Sequence, residues 1–186
     1  MRLTNPLLTG TLCLAMAAGL TSCFDDPEGV DEEWRTKNIE YFENAKTERT
    51  DDGELKYFTV TPSWSPGAAF LMRWEIDPAL NAHRLKPLDT STVDFKYVAY
   101  DIDGALISSS YNLHANGDSI YRTTPSQMIA GVRQALLMMS IGDSATVVLP
   151  AAAAYGNRAY GDVKANSTLL YHLKLKNIPA YETPEK

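Results

Sequence analysis

The segment 125–156 constrains the fold more than any other stretch of the 186-residue chain, because its periodicity changes from helical to extended within a few residues. Apolar residues first recur at steps of three and four, which places them on one face of a short predicted helix: Met128, Ile129, Val132, Leu136 and Met139. Ser126 is the predicted N-cap, and Gly142 is expected to end the helix in the left-handed conformation. The β-branched run from Thr146 to Val148 then predicts a strand, which stops at Pro150.

The rest of the chain is dominated by predicted strands. Residues 31–46 are expected to form a helix whose aromatic residues pack within the chain, with packing on a second copy as the alternative. Extended segments are predicted at 56–61, 69–76, 93–101, 105–110 and 120–124. The alternation of Phe70, Met72 and Trp74 predicts a strand that is buried on one face only. Since the core helix falls between strands without a βαβ rhythm, we expect an α+β fold. In it an antiparallel β-sheet wraps over a short core helix, with an N-terminal helix and extra strands.

The first 22 residues have the features of a lipoprotein signal peptide. Arg2 is a short basic region, and the apolar stretch 7–20 is too short and too rich in small residues for a membrane span. The stretch ends in Leu-Thr-Ser before Cys23, so Cys23 is the predicted lipidation site; an ordinary secretory signal with an incidental cysteine is the alternative. Cleavage would also remove Cys13, the other cysteine of the chain, so no disulfide is expected.

An acidic segment, residues 23–30, follows the predicted cleavage site. A block with so many carboxylates cannot bury itself, so it is interpreted as a tether. It also resembles the surface-export signals of Bacteroidetes lipoproteins, and a plain solvated linker is the alternative. Together these features predict a location in the bacterial cell envelope, with a lipid anchor in the outer membrane.

Composition and motifs argue against several classes of function. The net charge of −6 and the lack of a basic run argue against nucleic acid as a partner. No serine lies in a Gly-x-Ser-x-Gly elbow, and no glycine-rich phosphate loop occurs. His83, His114 and His172 are scattered along the chain, so neither a metal site nor a cofactor is expected.

The order of motifs resembles the core of FKBP-type peptidyl-prolyl cis-trans isomerases. The residues that carry the resemblance are Met128-Ile129, Gly131, Met139, Gly142, Pro150 and Tyr155-Gly156. Upstream, residues 92–97 and the Asp103-Gly104 turn are similar to the family's first core strand and its hairpin, and downstream residues 166–175 are similar to its closing strand. The resemblance covers about residues 90–178 and implies the α+β architecture expected above.

The resemblance also implies a site. It gives catalytic roles to Tyr97, Ile129 and Tyr155: Tyr97 in the pocket, the Ile129 backbone N–H on a substrate carbonyl, and the Tyr155 hydroxyl donating to the substrate. It gives substrate-binding roles to Ile107, Ser108, Tyr121, Met128, Val132 and Tyr171. Val132 stands where the family often has a tryptophan floor, and Ile107-Ser108 stands where it has Phe-Asp. These departures predict a wider and shallower pocket.

The chain is thus divided into six predicted parts: signal peptide 1–22, tether 23–30, N-terminal helix and turn 31–55, leading strands and loop 56–89, FKBP-like domain 90–180 and tail 181–186. The expected function is a lipid-anchored isomerase that assists the folding of exported proteins. The alternative is a catalytically weak or inactive FKBP-like binding or chaperone module, and a purely structural envelope lipoprotein is a third reading. The expected partners are proline-containing polypeptide segments and, through the lipid, a membrane; the chain is expected to be a monomer or a weak dimer.

Overall fold

The computed structural model describes residues 31–112 and 119–181, within which it has two α-helices and seven β-strands. The helices are α1 (Glu32–Thr47) and α2 (Ala130–Met138). The strands are β1 (Phe58–Val60), β2 (Phe70–Trp74), β3 (Thr92–Tyr100), β4 (Leu106–Ser109), β5 (Tyr121–Thr123), β6 (Ser144–Leu149) and β7 (Leu169–Ala180). The predicted signal peptide, Cys23, the tether and His114 lie outside the described residues.

The described strands form one antiparallel sheet in the order β1-β2-β6-β7-β3-β4, and β5 also pairs with β3. The long strand β7 lies in the middle of the sheet, with β6 on one side and β3 on the other. In this register Tyr97 pairs with Leu173, and Ala99 pairs with Tyr171. The predicted fold class, α+β with an antiparallel sheet over a short core helix, is confirmed.

The core lies between the inner face of the sheet and α2. Val132, Ala135 and Leu136 of the helix are fully buried against side chains from the middle strands. The largest of these strand residues are Phe70, Met72, Phe95, Val147, Leu149, Leu169 and Leu175. Because an inward-facing residue recurs every second position in a strand, alternate residues of β7 are buried and the intervening lysines point outward.

The start of α2 differs from the sequence prediction. Ser126 is not the N-cap, because it lies in a 3₁₀ turn, Pro125–Gln127, that closes with a bond from the Met128 N–H to the Pro125 carbonyl. Met128 is then extended, and the helix begins at Ala130 with Ile129 at the N-cap position and no side-chain cap. The pair Met128-Ile129 therefore precedes the helix instead of opening it.

The end of α2 also differs. The helix stops at Met138, with an extended Met139 as its C-cap, so Gly142 does not end it. Gly142 has the expected positive φ, +100°, but it shapes the turn that leads into β6. Its N–H donates to the Leu175 carbonyl at 2.9 Å, which ties that turn to β7.

The outer face of the sheet is covered by α1, which confirms the predicted N-terminal helix. Asp31 caps the helix by accepting from the Trp34 N–H at 2.9 Å. Phe42 and Ala45 pack on a second cluster that contains Leu71 of β2. Leu71 is 1% exposed, so the prediction that β2 is buried on one face only was wrong. Packing within the chain is also what the structure shows for the α1 aromatics Trp34 and Phe42.

Neither described helix is long and apolar enough to cross a membrane.

Gly131 provides a test of the core packing. A Cβ at this position would overlap the Leu149 side chain and lie 3.2 Å from the Ala153 carbonyl oxygen. Gly131→Val should therefore lower the free energy of unfolding by about 1–3 kcal/mol, the usual cost of overpacking. Urea denaturation measures this change. Gly67→Ala is the matched control, since no atom lies within 4 Å of a Cβ built there; equal urea midpoints for wild type and Gly131→Val would contradict the close approach.

Candidate active site

A cavity of about 550 Å³ opens on the inner side of the sheet, beside the N-terminal end of α2. Its walls come from five separate parts of the chain: β3, β4, β5 with the turn that precedes α2, the loop after β6, and β7. The lining residues are mostly aromatic or aliphatic: Tyr97, Ile107, Ser108, Tyr121, Gln127, Met128, Ile129, Tyr155, Tyr160, Gly161, Asp162, Val163 and Tyr171.

The wall on the sheet side is a cluster of aromatic rings at the point where β3 changes its edge partner from β5 to β4. Tyr97 lies at that point. Its ring is edge-on to Tyr121 at 5.6 Å between centroids and 6.0 Å from Tyr171. Such edge and tilted contacts are the favoured geometries for aromatic pairs, so the rings hold one another in place.

The Tyr97 hydroxyl is fixed by β4. It lies 3.0 Å from the Ser108 Oγ, and either oxygen can be the donor. The Tyr97 backbone N–H donates to the Ser110 Oγ at 3.0 Å, which supplies a hydrogen bond where the strand changes partner. Ser108 therefore contacts the pocket tyrosine, but it brings no charge to the edge of the cavity.

A free hydrogen-bond donor lies on the helix side. Ile129 has an extended conformation, φ −56° and ψ 151°, and its carbonyl accepts from the Arg133 N–H to begin α2. Its own N–H has no hydrogen-bond partner among the described residues. Because an unpaired backbone N–H is costly to bury, one at a cavity wall is available to a carbonyl oxygen of a ligand.

Another wall of the cavity is formed by the loop after β6. Pro150 ends the strand, a 3₁₀ turn at Ala151–Ala153 follows, and Tyr155 comes next. Gly156 has φ +69°, and its N–H donates to the Ala151 carbonyl at 2.8 Å, so the backbone turns sharply at Tyr155. The Tyr155 ring stacks on Tyr160 with centroids 4.8 Å apart and planes 9° from parallel.

Burial affects the pKa of two tyrosines that line the cavity, Tyr155 and Tyr171. It raises the pKa of Tyr155 above its ordinary value, and it raises the pKa of Tyr171 further because Tyr171 is more deeply buried. Both residues thus remain neutral phenols at physiological pH. The Tyr155 hydroxyl is available as a hydrogen-bond donor and not as a base.

The structure brings together eight of the nine predicted pocket residues. Tyr97, Ile107, Ser108, Tyr121, Met128, Ile129, Tyr155 and Tyr171 all line the cavity. Val132 does not: it is fully buried in the core and is not part of the lining, so its prediction as the pocket floor was wrong. The helix turns this side chain toward the sheet, and its family position alone did not reveal that. The roles given to the eight residues remain predictions.

Sequence reasoning missed the other five residues that line the cavity: Gln127, Tyr160, Gly161, Asp162 and Val163. Tyr160 is 66% exposed and extends the aromatic wall outward. Asp162 is the one charged residue among those lining the cavity. The available signal was the segment Tyr160-Gly161-Asp162, an aromatic residue in a tight turn shortly after Tyr155-Gly156; Tyr160 and Val163 exchange two backbone bonds of 2.9 Å there.

The described residues contain no group of three or more histidine, cysteine, aspartate or glutamate side chains that could hold a metal ion. His172, which faces out of β7, lies 2.8 Å from the Thr146 hydroxyl through its Nδ1 atom. The cavity itself offers apolar walls, a few neutral hydrogen-bonding groups and the Asp162 carboxylate.

Comparison with known proteins decides the family. The sequence pattern of the family described as FKBP-type peptidyl-prolyl cis-trans isomerase matches residues 84–176, half of the 186-residue chain. The chain belongs to this family. FK506-binding protein 2 of Gibberella zeae is 35% identical over 66 residues, which are 36% of this chain. That match spans 34% of the relative's own length.

Solved structures share the FKBP-type fold. FkpA from Escherichia coli superposes with a TM-score of 0.63 at 20% identity, covering 81% of this chain and 62% of the other. A peptidyl-prolyl cis-trans isomerase from Pseudomonas syringae pv. tomato superposes with a TM-score of 0.61 at 18% identity, covering 79% of this chain and 94% of the other. At these identities the likeness establishes the fold alone.

The buried phenol of Tyr171 gives this FKBP-type domain a predictable alkaline behaviour. Below about pH 10, the ordinary tyrosine pKa, the folded and unfolded states both keep the proton. Above it the unfolded chain releases the proton while the folded domain retains it, so stability falls as pH rises.

Tyr171→Phe should therefore make the decline of the urea midpoint above about pH 10 less steep. Urea titrations from neutral to alkaline pH measure it, and Tyr111→Phe, which alters an exposed ring outside the cavity, is the control. Parallel curves for wild type and Tyr171→Phe would contradict the buried phenol.

Proposed function

We propose that the chain is a peptidyl-prolyl cis-trans isomerase, anchored by lipid in the bacterial cell envelope, that assists the folding of exported proteins. The observation that carries the proposal is the unpaired Ile129 N–H at the wall of an apolar aromatic cavity, with the neutral Tyr155 hydroxyl on the same cavity. Membership of the FKBP-type family supports it.

The rate of this reaction depends more on the polarity of the surroundings of the peptide bond than on a nucleophile or a base. Rotation about a peptide bond must cross a barrier of roughly 18–20 kcal/mol that comes from amide resonance. The planar amide is more polar than the twisted one, so an apolar cavity that excludes water disfavours the ground state relative to the transition state. The tyrosine rings and the aliphatic groups of Ile107, Met128 and Val163 supply such walls.

Two donors would hold the substrate while the bond rotates. The Ile129 N–H can bind one backbone carbonyl, and the Tyr155 hydroxyl can bind the carbonyl next to the proline. Fixing the chain on both sides of the bond lowers the entropy cost of reaching the twisted state. Uncatalysed X-Pro isomerisation takes tens to hundreds of seconds, so a modest acceleration would matter for folding proteins.

The second candidate function is an FKBP-like binding or chaperone module that holds proline-bearing segments without efficient turnover. Two observations favour it. Ser108 leaves the edge of the cavity without the family's carboxylate, and Val132 supplies no aromatic floor. Both candidates use the same cavity, so activity must distinguish them.

Variants of Tyr155 test the isomerase proposal. Tyr155→Phe keeps the ring and deletes one neutral hydrogen bond, which contributes about 0.5–1.5 kcal/mol net, so kcat/KM should fall several-fold. Tyr155→Ala also removes the wall and the stack on Tyr160, so its loss should be considerably larger. The measurement is kcat/KM of the purified full chain on a proline tetrapeptide, with peptide binding followed in parallel.

Tyr41→Phe is the matched control, because Tyr41 packs with the cluster on the outer face of the sheet and does not line the cavity. It should keep wild-type activity. Wild-type protein that binds the peptide without accelerating its isomerisation would leave the binding module as the function. Equal activity in wild type and Tyr155→Ala would remove Tyr155 from the mechanism.

The lipid anchor is a separate part of the proposal and rests on the sequence before Cys23. Several acyl chains on one cysteine would give stable anchoring, because each buried methylene contributes about 0.8 kcal/mol. Cys23→Ala should abolish incorporation of labelled palmitate and move the protein out of the detergent phase. Cys13→Ala, which alters the predicted signal peptide, is the control and should keep the label; undiminished label in Cys23→Ala would end the lipoprotein proposal.

A further inference from the structure

The N-terminal half of α1 is hydrogen-bonded to the segment that carries the outer wall of the cavity. The Thr168 N–H donates to the Asn38 Oδ1 at 2.6 Å, and the Thr168 hydroxyl donates to the Asn38 carbonyl at 3.1 Å. The Trp34 indole N–H donates to the Ser167 Oγ at 3.0 Å. All three bonds are buried, and they join residues that are about 130 positions apart in the chain.

Further contacts tighten this junction. The Asn38 side-chain amide donates to the Trp34 carbonyl at 2.8 Å, so its orientation within the helix is fixed. The Ser167 hydroxyl donates to the Lys164 carbonyl at 2.8 Å, and the Lys164 ammonium lies 4.6 Å from the centre of the Trp34 ring. The helix thus contacts this segment by hydrogen bonds, by a cation–π contact and by burial.

The segment attached to α1 is one end of the loop that forms the cavity wall. The Asn166 N–H donates to the Gly156 carbonyl at 2.9 Å, which closes the loop at its base. Tyr155 lies just outside that closure, and Tyr160 and Asp162 lie within it. Because the base of the loop is held by α1 on its 166–168 side, a displacement there would move the aromatic wall.

We propose that Trp34 and Asn38 of α1 are positioning residues of the active site. By holding Ser167 and Thr168, they set the place of the 156–166 loop and hence of the stacked Tyr155 and Tyr160 rings. The inference rests on the proposed isomerase function, and it makes the N-terminal helix a working part of the site and not only a cover for the sheet.

The same helix offers a control for mere packing. Its C-terminal half holds the sheet through Phe42 and Ala45, which pack on the outer cluster around Leu71 and Val148, whereas the hydrogen bonds to Ser167 and Thr168 come from Trp34 and Asn38. A variant there weakens the docking of α1 without removing a hydrogen bond to the loop. Glu40, an exposed residue of the same helix, serves as a surface control on α1.

The first experiment compares Asn38→Ala, Phe42→Leu and Glu40→Ala in the full chain, at a temperature where all are folded. Asn38→Ala should lower kcat/KM by about three- to ten-fold with a raised KM, since loss of positioning weakens both binding and orientation. Phe42→Leu, even with a lower melting temperature, and Glu40→Ala should keep wild-type kcat/KM. Equal activity losses in Asn38→Ala and Phe42→Leu would reduce α1 to a packing role and overturn the proposal.

The second experiment is a double-mutant cycle across the Trp34–Ser167 bond. Trp34→Phe keeps an aromatic ring and removes the indole donor, while Ser167→Ala removes the acceptor from the loop. If the bond positions the loop, the double variant should lose no more kcat/KM than the worse single variant. Losses that multiply in the double variant would show that the two residues act independently and would overturn the bond's role.

Hydrogen exchange separates this inference from the isomerase proposal. In Asn38→Ala the amides of Thr168 and of the 156–166 loop should exchange faster than in wild type, while those of β2 should not. Wild-type protein without turnover defeats the isomerase proposal, but faster loop exchange would still support the mechanical link. If the amides of the 156–166 loop exchange at the same rate in Asn38→Ala and in wild type, the proposed coupling of α1 to the loop is overturned, whatever the activity of the variant.

Discussion

The absence of a side chain at Gly131 lets the first turn of α2 lie directly against the end of β6. The Leu149 side chain fills the space that a Cβ would occupy, and the Ala153 carbonyl oxygen lies 3.2 Å from that point. Ile129 comes two residues before this contact, and Tyr155 comes two residues after Ala153. The approach of helix to turn therefore fixes how far apart the Ile129 N–H and the Tyr155 hydroxyl lie, and the cavity between them depends on it.

The two faces of the sheet have different roles. The inner face carries α2 and the aromatic walls formed by Tyr97, Tyr121 and Tyr171. The outer face is sealed by α1, so β2 and β6 are buried on both sides. The sheet-side walls lie on the paired strands β3, β5 and β7, whereas the loop wall takes its position from α1.

The sequence was sufficient to predict the secondary-structure elements whose hydrophobic periodicity is strong. The core helix and β6 lie close to where helical spacing, β-branched residues and Pro150 predicted them, and the closing strand lies where the family resemblance placed it. Periodicity could not show that α1 covers Leu71, because that contact comes from a helix far upstream in the chain. It also could not show that Asp94 is buried and forms a bidentate ion pair with Arg122, at 2.6 and 2.8 Å.

The family's motif residues predicted most of the site, because the sheet fixes the backbone positions of those residues. Eight predicted residues line one cavity because strand register and the turn before α2 leave their side chains little choice. The prediction that Val132 forms the pocket floor failed because a motif gives only a position along a helix. The surroundings of the side chain depend on how the helix is rotated against the sheet. Tyr160 and Asp162 were missed because they sit in a local turn whose bonds between Tyr160 and Val163 follow no repeating pattern.

The central place of β7 also has a consequence for the order of assembly. The wall residue Tyr171 pairs with β3 and β6 from near the C-terminus, and the partners of Asn38 lie 130 residues beyond it. Pairings of such long range are slow to form, because the intervening chain must lose its freedom first. A ribosome that has made the first 160 or so residues has made α1, α2 and most of the cavity's aromatic residues, but it has not made the strand that joins them. The cavity consequently requires β7 in the middle of the sheet, and a chain cut short before β7 would contain most of the pocket's residues and no pocket.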